Sequence, residues 1–298
     1  MGSIEPRRRR DVRKRLGWPV IRWGDVFDAA VREVVPVGGG LHEAFRVTLA
    51  DGDRCFVKTG DSSDVFEAER DGLEAMRSIA ESCDDVVVPT VRGSGTAEGR
   101  AWLAMDWIDG RGVGDDEDVG GALARWHRAS AGTGHGWHRD NYLGTAIQPN
   151  TACEDWPTFI RERRIGFQCE WGSRTGRLTH RTVDAVRERI GQLDLGEPYR
   201  TCLIHGDLWS GNWKVDDRGR LVLFDPAVYR GTPAAEFGML DLFGGIGPRF
   251  RRGYQRVTPM GPSDRREADV FRLYHLLNHV NLFGGGYEPQ ATRLIATL

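Results

Sequence analysis

From Val31 to Ile108 the apolar positions come in short runs, and beyond residue 112 they recur at helical spacing, so the chain divides into two unlike halves. In the first half "VREVVPV" and "AFRVTLADGDRCFVK" predict strands. The second stretch is a hairpin closed at Asp51-Gly52, a dipeptide suited to the positive φ of a tight turn. A helix follows, because "DVFEAERDGLEAMRSIAE" sets Phe66, Leu73, Met76 and Ile79 at near-helical spacing behind an Asp placed to cap it. "DVVVPTVRGSG" and "AWLAMDWIDG" predict two further strands, which end in the Gly-rich "DGRGVGDD". In the second half "VGGALARWHRAS", "WPTFIRERRIGFQCEW", "RTVDAVRERIGQL" and "DVFRLYHLLNHVNLF" predict helices, with a single strand pair around 202–224 among them.

This pattern predicts an α+β protein with a bilobal, protein-kinase-like plan: a small β-rich N-lobe with one key helix and a larger, mainly helical C-lobe. The expected division is a basic N-terminal extension (1–20), a nucleotide-binding N-lobe (21–109) and a catalytic and substrate-binding C-lobe (110–298). No period of 20 to 50 residues repeats along the chain. A formal charge of −2 argues against nucleic-acid partners, because the only basic run, "RRRRDVRKR", is confined to the N-terminal arm. No apolar stretch is long enough to span a bilayer and no signal h-region follows the basic start, so a cytoplasmic protein without membrane contact is expected. Five scattered cysteines with no CxxC pair suggest neither a disulfide framework nor a zinc site. Lysine occurs only at positions 14, 58 and 214, arginine serving elsewhere, which singles out Lys58 at the end of "RCFVK".

A lysine closing an apolar strand can aim its ammonium at nucleotide phosphates, although many such residues are only solvated edge positions. Glu69, on the following helix, is placed to pair with it; Glu67, two residues earlier, lies on another face. Upstream, Gly38, Gly39 and Gly40 would let backbone N–H groups approach phosphates, or form no more than a flexible turn. The strongest signal is "CLIHGDLWSGNW", which places Asp207 and Asn212 in an H-x-D-x-x-x-x-N spacing, with Asp225 in "LVLFDPAVY" thirteen residues on. That spacing supplies a general base, an amide ligand and a carboxylate ligand for Mg²⁺. The alternative is structural: Asp207 capping a turn, Asn212 in a left-handed conformation and Asp225 opening a loop before Pro226. His205 is expected to buttress the loop.

"LIHGDLWSGNW", "FDPAVYRG", "LFGG" and "YHLLNHVNLFGGGY", with "GWHRDNYLGTAIQPN" and "DWPTFIRERRIGFQ", resemble the fructosamine kinase (ketosamine-3-kinase) family, a branch of the aminoglycoside and choline kinase-like superfamily. The resemblance runs from about Val31 to the C-terminus. It implies ATP- and Mg²⁺-dependent phosphorylation of the 3-hydroxyl of a ketosamine, free or on a protein, by an enzyme expected to be a monomer. The phosphorylated adduct would then decay and free the amine. It also implies adenine binding along Met105, Asp106, Trp107 and Ile108, phosphates steadied by Lys58, and substrate contacts from Trp209, Asp140, Asn141, Gln148 and Tyr229. Asp207 would accept its proton late and need no strongly raised pKa. The chain departs from the family in two places: "GLH" replaces "SIN" in the Gly-rich segment, with no cysteine in that loop, and Glu236 stands where an Asp is common. An aminoglycoside-, choline- or other amino-sugar kinase, and a nucleotide-binding pseudokinase regulator, are the competing readings. Intact Lys58, Asp207, Asn212 and Asp225 disfavour the last.

Overall fold

The computed structural model describes residues 22–38, 42–112, 115–196, 200–243 and 246–298. The basic arm, Gly39 and Gly40 lie outside the described residues. The N-terminal region holds β1 (Val31–Pro36), β2 (Glu43–Leu49), β3 (Arg54–Gly60), α1 (Ser63–Ala80), β4 (Val86–Val87), β5 (Val91–Ala97) and β6 (Arg100–Asp106). Five of these strands form an antiparallel sheet in the order β1-β2-β3-β6-β5. One set of buried side chains, Val47, Leu49, Cys55, Val57 and Ala104, packs with Trp23, Phe27 and Phe45. Leu103 and Met105 belong to a second set, shared with Phe66, Leu73 and Met76 of α1. Burying each of these large apolar side chains stabilises the fold by about 1.5–3 kcal/mol.

Two expectations about this region need correction. The N-cap of α1 is Ser62, not an Asp, and Asp64 lies inside the first turn, free to bond elsewhere. The stretch read as one strand from 85 to 95 is two, and β4 leaves the large sheet to pair in parallel with a strand of the other lobe.

The C-terminal region runs through α2 (Glu117–Ala129), β7 (Asn141–Leu143), β8 (Ala146–Gln148) and α3 (Trp156–Phe159). α3 passes through a π-helical stretch, Ile160–Gly166, into α4 (Phe167–Arg174), and α5 (His180–Gln192) follows. Next come β9 (Cys202–Ile204), β10 (Trp213–Val215), β11 (Leu221–Leu223), β12 (Tyr229–Gly231), α6 (Pro233–Phe243), α7 (Pro248–Val257), α8 (Pro262–Phe283) and α9 (Tyr287–Ile295). The strand content exceeds the single pair expected: β10-β11-β4, β9-β12 and β7-β8 form three small sheets. Each strand is only two or three residues long, too short for alternation to register in the sequence. No described helix is long and apolar enough to cross a membrane.

α2 and α7 approach backbone to backbone at two glycines. A Cβ on Gly120 would stand 2.0 Å from the Phe250 carbonyl oxygen, and one on Gly253 would stand 1.8 Å from that of Glu117. Since both obstacles are backbone, a methyl group there must push the helices apart. Gly253→Ala is expected to destabilise the protein: overpacking costs about 1–3 kcal/mol or more, against a gain of about 1 kcal/mol from helix propensity. Thermal unfolding followed by circular dichroism should show a midpoint lowered by several degrees, and an unchanged midpoint would mean that the helices separate at no cost.

Candidate active site

Lys58 ends the apolar face of β3 and is 7% exposed, so its ammonium must find partners within the protein. It lies 2.8 Å from Glu69 Oε1 and 2.5 Å from Asp225 Oδ1. Glu69 is buried on α1, whereas Glu67 points to solvent, which resolves the choice between them. Burial works against the charge on Lys58, but Asp225 and Glu69 together hold it above its ordinary pKa. For Asp225 burial likewise opposes ionisation, and Lys58 outweighs it, leaving the carboxyl below its usual value. Glu69 is pushed up to about 7 by burial, with Lys58 opposing.

The loop between β9 and β10 carries Asp207, Trp209 and Asn212. Asn212 donates its Nδ2 to the Asp207 backbone carbonyl at 2.8 Å and to Asp207 Oδ2 at 3.1 Å, which fixes the two side chains relative to each other. Its Oδ1 is left to face another partner. His205 is fully buried; its Nε2 lies 2.9 Å from the Phe224 carbonyl and its Nδ1 accepts the Asp207 N–H at 3.3 Å. A carbonyl only accepts, so the proton sits on Nε2, and burial lowers the imidazole pKa. His205 is thus the neutral buttress expected. Glu236 on α6 holds the same turn: Oε2 accepts the His205 N–H at 2.6 Å and Oε1 the Gly206 N–H at 2.9 Å. Burial raises its pKa, but His127 and these bonds bring it below the ordinary value.

Asp225 follows β11 with φ of +62°, a left-handed conformation that favours Gly or Asn over Asp. The left-handed non-glycine residue of the site is therefore Asp225, and the turn aims its carboxylate across the cleft at Lys58. Asp207 differs from expectation, because burial and then the Asp225 charge raise its pKa well above the carboxylate range.

These groups line one cleft of about 780 Å³ between the sheet and the helices. Gly38, Met105, Asp106, Trp107, Ile108, Asn141 and Trp209 line it as well. Trp209 is 39% exposed, its ring lying over Gly211. Asp140, Gln148 and Tyr229 do not line the cleft. Asp140 accepts the Asn150 N–H at 2.8 Å. Gln148, fully buried, donates to Asn141 Oδ1 at 2.7 Å and to the Ala227 carbonyl at 3.0 Å. Tyr229 is enclosed beneath the Arg164 guanidinium, 4.0 Å from its ring. Asn141, which edges the cleft, donates to the Val228 carbonyl at 2.7 Å. The "DPAVY" segment is therefore held from below by residues that the sequence suggested for substrate.

Sequence reasoning missed His42, Tyr142, Lys214, His279, Phe283 and Tyr287 on the cleft wall. Lys214 carried a signal, its rarity as a lysine; its ammonium bonds the Ile108 carbonyl and lies near the rings of Trp107 and Phe224. α8 is core through Phe271, Leu273 and Leu277, but its later turns bring Asn278, His279 and Phe283 to the cleft. For a divalent cation the fit is good: one Asp225 oxygen is engaged by Lys58, and the other, with Asn212 Oδ1, supplies hard oxygen donors in the cleft.

The chain as a whole is similar to known proteins. A probable ketoamine kinase of Synechocystis is 36% identical over 265 residues, covering 87% of this chain and 87% of the relative. A chloroplastic protein-ribulosamine 3-kinase of Oryza sativa subsp. japonica is 36% identical over 275 residues, 88% of this chain and 77% of the relative. A solved Thermobifida fusca structure described as a fructosamine-3-kinase superposes with a TM-score of 0.79 at 32% identity, over 91% of this chain and 96% of that one. The fructosamine kinase family pattern matches residues 23–298, and the chain belongs to that family.

Proposed function

We propose that the chain transfers the γ-phosphoryl group of ATP to the 3-hydroxyl of a ketosamine, with Asp207 as general base. The observation that carries this reading is the convergence of Lys58, Asp207, Asn212 and Asp225 on one cleft in a chain of this family. The phosphates would lie against Lys58 beneath Gly38, and the base along Met105 to Ile108. Asn212 and Asp225 would hold Mg²⁺, which supplies neutralising charge at the phosphates when bound. Asp207 receives the proton of the acceptor hydroxyl as its oxygen bonds to the γ-phosphorus. The bond from that phosphorus to the β,γ-bridging oxygen breaks, and ADP leaves. Trp209 offers a ring face beside Asp207 for the sugar or its amine stem.

Phosphorus NMR of the reaction on synthetic ribulose-lysine tests the reading. The expected result is a 3-phosphate that decays without further enzyme to inorganic phosphate, because phosphate lies β to the C2 carbonyl. A stable phosphate on a terminal carbon, or turnover of kanamycin or choline and of no ketosamine, would overturn it.

Asp207→Ala should lower turnover by about 10²–10⁴-fold, the usual contribution of a positioned base, while calorimetry shows nucleotide affinity changed by no more than a few-fold. Retention of more than a few per cent of turnover would remove Asp207 from that role. Asn212→Ala and Asp225→Asn should instead raise the magnesium concentration needed for half-maximal rate, and an unchanged requirement in both would refute the ligand assignment.

The pH profile should carry the raised pKa of Asp207. The base works as the carboxylate, so the rate falls once pH drops below its pKa. Burial and Asp225 lift that pKa, so the acid limb should lie above the usual carboxylate range near pH 4. A limb within that range, measured with saturating nucleotide, would show that Asp207 is not so raised in the working complex.

A further inference from the structure

α1 is gripped on the side away from Lys58. Asp64 and Asp71 are seven residues apart, two helical turns, and so share one face, while Glu69 lies on another. Both carboxylates bond to a single segment of the other lobe. Asp71 accepts Trp137 Nε1–H at 2.7 Å and stands 3.1 Å from His138 Nε2. Asp64 accepts from Arg139 Nη2 at 2.7 Å and from the Tyr142 hydroxyl.

The same segment is tied down on its own side by Asp140 to Asn150 and by Asn141 to the Val228 carbonyl. Trp137 packs against two hydrophobic clusters, one of which includes Phe66, Leu73 and Met76 of α1. On a neighbouring face of α1, Gly72 is bare, and a Cβ there would stand 3.1 Å from Pro226, the residue after Asp225. The helix that carries Glu69 is thus fastened to the lobe that carries Asp207 and Asp225 by contacts apart from the chain connection after β6.

An exposed pair such as Arg139 with Asp64 contributes little by itself. Tyr142 changes the picture, because it is half-buried and also lines the cleft, next to Asn141, Leu143 and Gly144. One side chain therefore touches the space where an acceptor would lie and the helix that sets Lys58.

We propose that Asp64 and Asp71 are positioning residues for transfer: they fasten α1 to residues 137–142 so that Glu69 holds Lys58 in place, and Tyr142 couples acceptor occupancy to nucleotide binding. The clamp itself rests on geometry, and only the identity of the acceptor rests on the ketosamine reading above.

The experiment measures binding of the magnesium complex of a non-hydrolysable ATP analogue by calorimetry, with and without ribulose-lysine. The proteins are the wild type, Tyr142→Phe, Asp64→Asn, Glu69→Ala and the Tyr142→Phe/Glu69→Ala double variant. In the wild type, acceptor should tighten nucleotide binding by about 5-fold or more, the usual lower range of coupling between sites. Tyr142→Phe should abolish that factor and raise KM for ATP, with a thermal midpoint close to wild type.

In the Glu69→Ala background, Tyr142→Phe should have no further effect on nucleotide affinity, since the clamp acts through Glu69. Asp64→Asn keeps an acceptor for the Tyr142 hydroxyl and should retain part of the coupling. Equal coupling in wild type and Tyr142→Phe, or additive losses in the double variant, would overturn the proposal and leave the clamp a purely structural tie. Failure of ribulose-lysine to bind the wild type would count against the ketosamine reading alone, because the nucleotide-only cycle of Tyr142 and Glu69 would still confirm or refute the clamp.

Discussion

The ammonium of Lys58, enclosed between the carboxylates of Glu69 and Asp225, is the interaction on which the rest of the structure converges. A single buried cation is costly in a protein interior, and removal of one partner leaves an uncompensated charge. The three residues come from β3, from α1 and from the turn after β11, so the pairing fixes a strand, a helix and a hairpin of the opposite lobe at one point. It also explains the left-handed backbone at Asp225. That conformation costs on the order of 1 kcal/mol or more for a non-glycine residue, and the attraction to Lys58 offsets it. A phosphate group entering the cleft would meet a cation already desolvated and already aimed.

A second buried charge organises the floor. Glu236 is a negative group with almost no exposure, and it accepts two consecutive backbone N–H groups of the turn that leads to Asp207. Charge-assisted bonds of this kind are strong and directional. The carboxylate thereby fixes the turn before Asp207, while His205 ties Asp207 to Phe224, the residue after β11. Gln148, which does not line the cleft, and Asn141, which edges it, hold the Ala227 and Val228 carbonyls from the other side. Chemistry in the cleft therefore rests on a polar layer directly beneath it.

The parts legible in the sequence were those in which spacing along the chain is itself the geometry. Asp207 and Asn212 sit in one loop, and Glu69 lies one helix beyond Lys58, so local rules bring them to one cleft. The errors arose where three-dimensional neighbours decide a residue's work. Gln148 and Tyr229 look like recognition residues in a one-dimensional reading, yet each faces inward, the outward position of its strand being taken by Ile147 or Arg230. From Val270 to Asn281 α8 is buried around most of its circumference, so periodicity could not say which turns reach the cleft. The polar Asn278 and His279 within that run were the available hint. Asp64 gave no sign beyond an apparent cap, since its partners lie far along the chain.

The crossing of β4 into the helical lobe bears on how the chain can be made. Val86 and Val87 pair in parallel with Leu221 and Val222, and the Asp85 carbonyl accepts the Leu221 N–H. During synthesis the first lobe emerges whole while its β4 partner is still unwritten, so this strand must wait, unpaired, until β11 leaves the ribosome. Parallel pairing at such separation closes a long loop and forms late. The lobes are thus not two independent folding units read out one after the other. The newborn chain stays partly open until its last third arrives, and Asp225, three residues past the end of that same pairing, can meet Lys58 only after the open interval has closed.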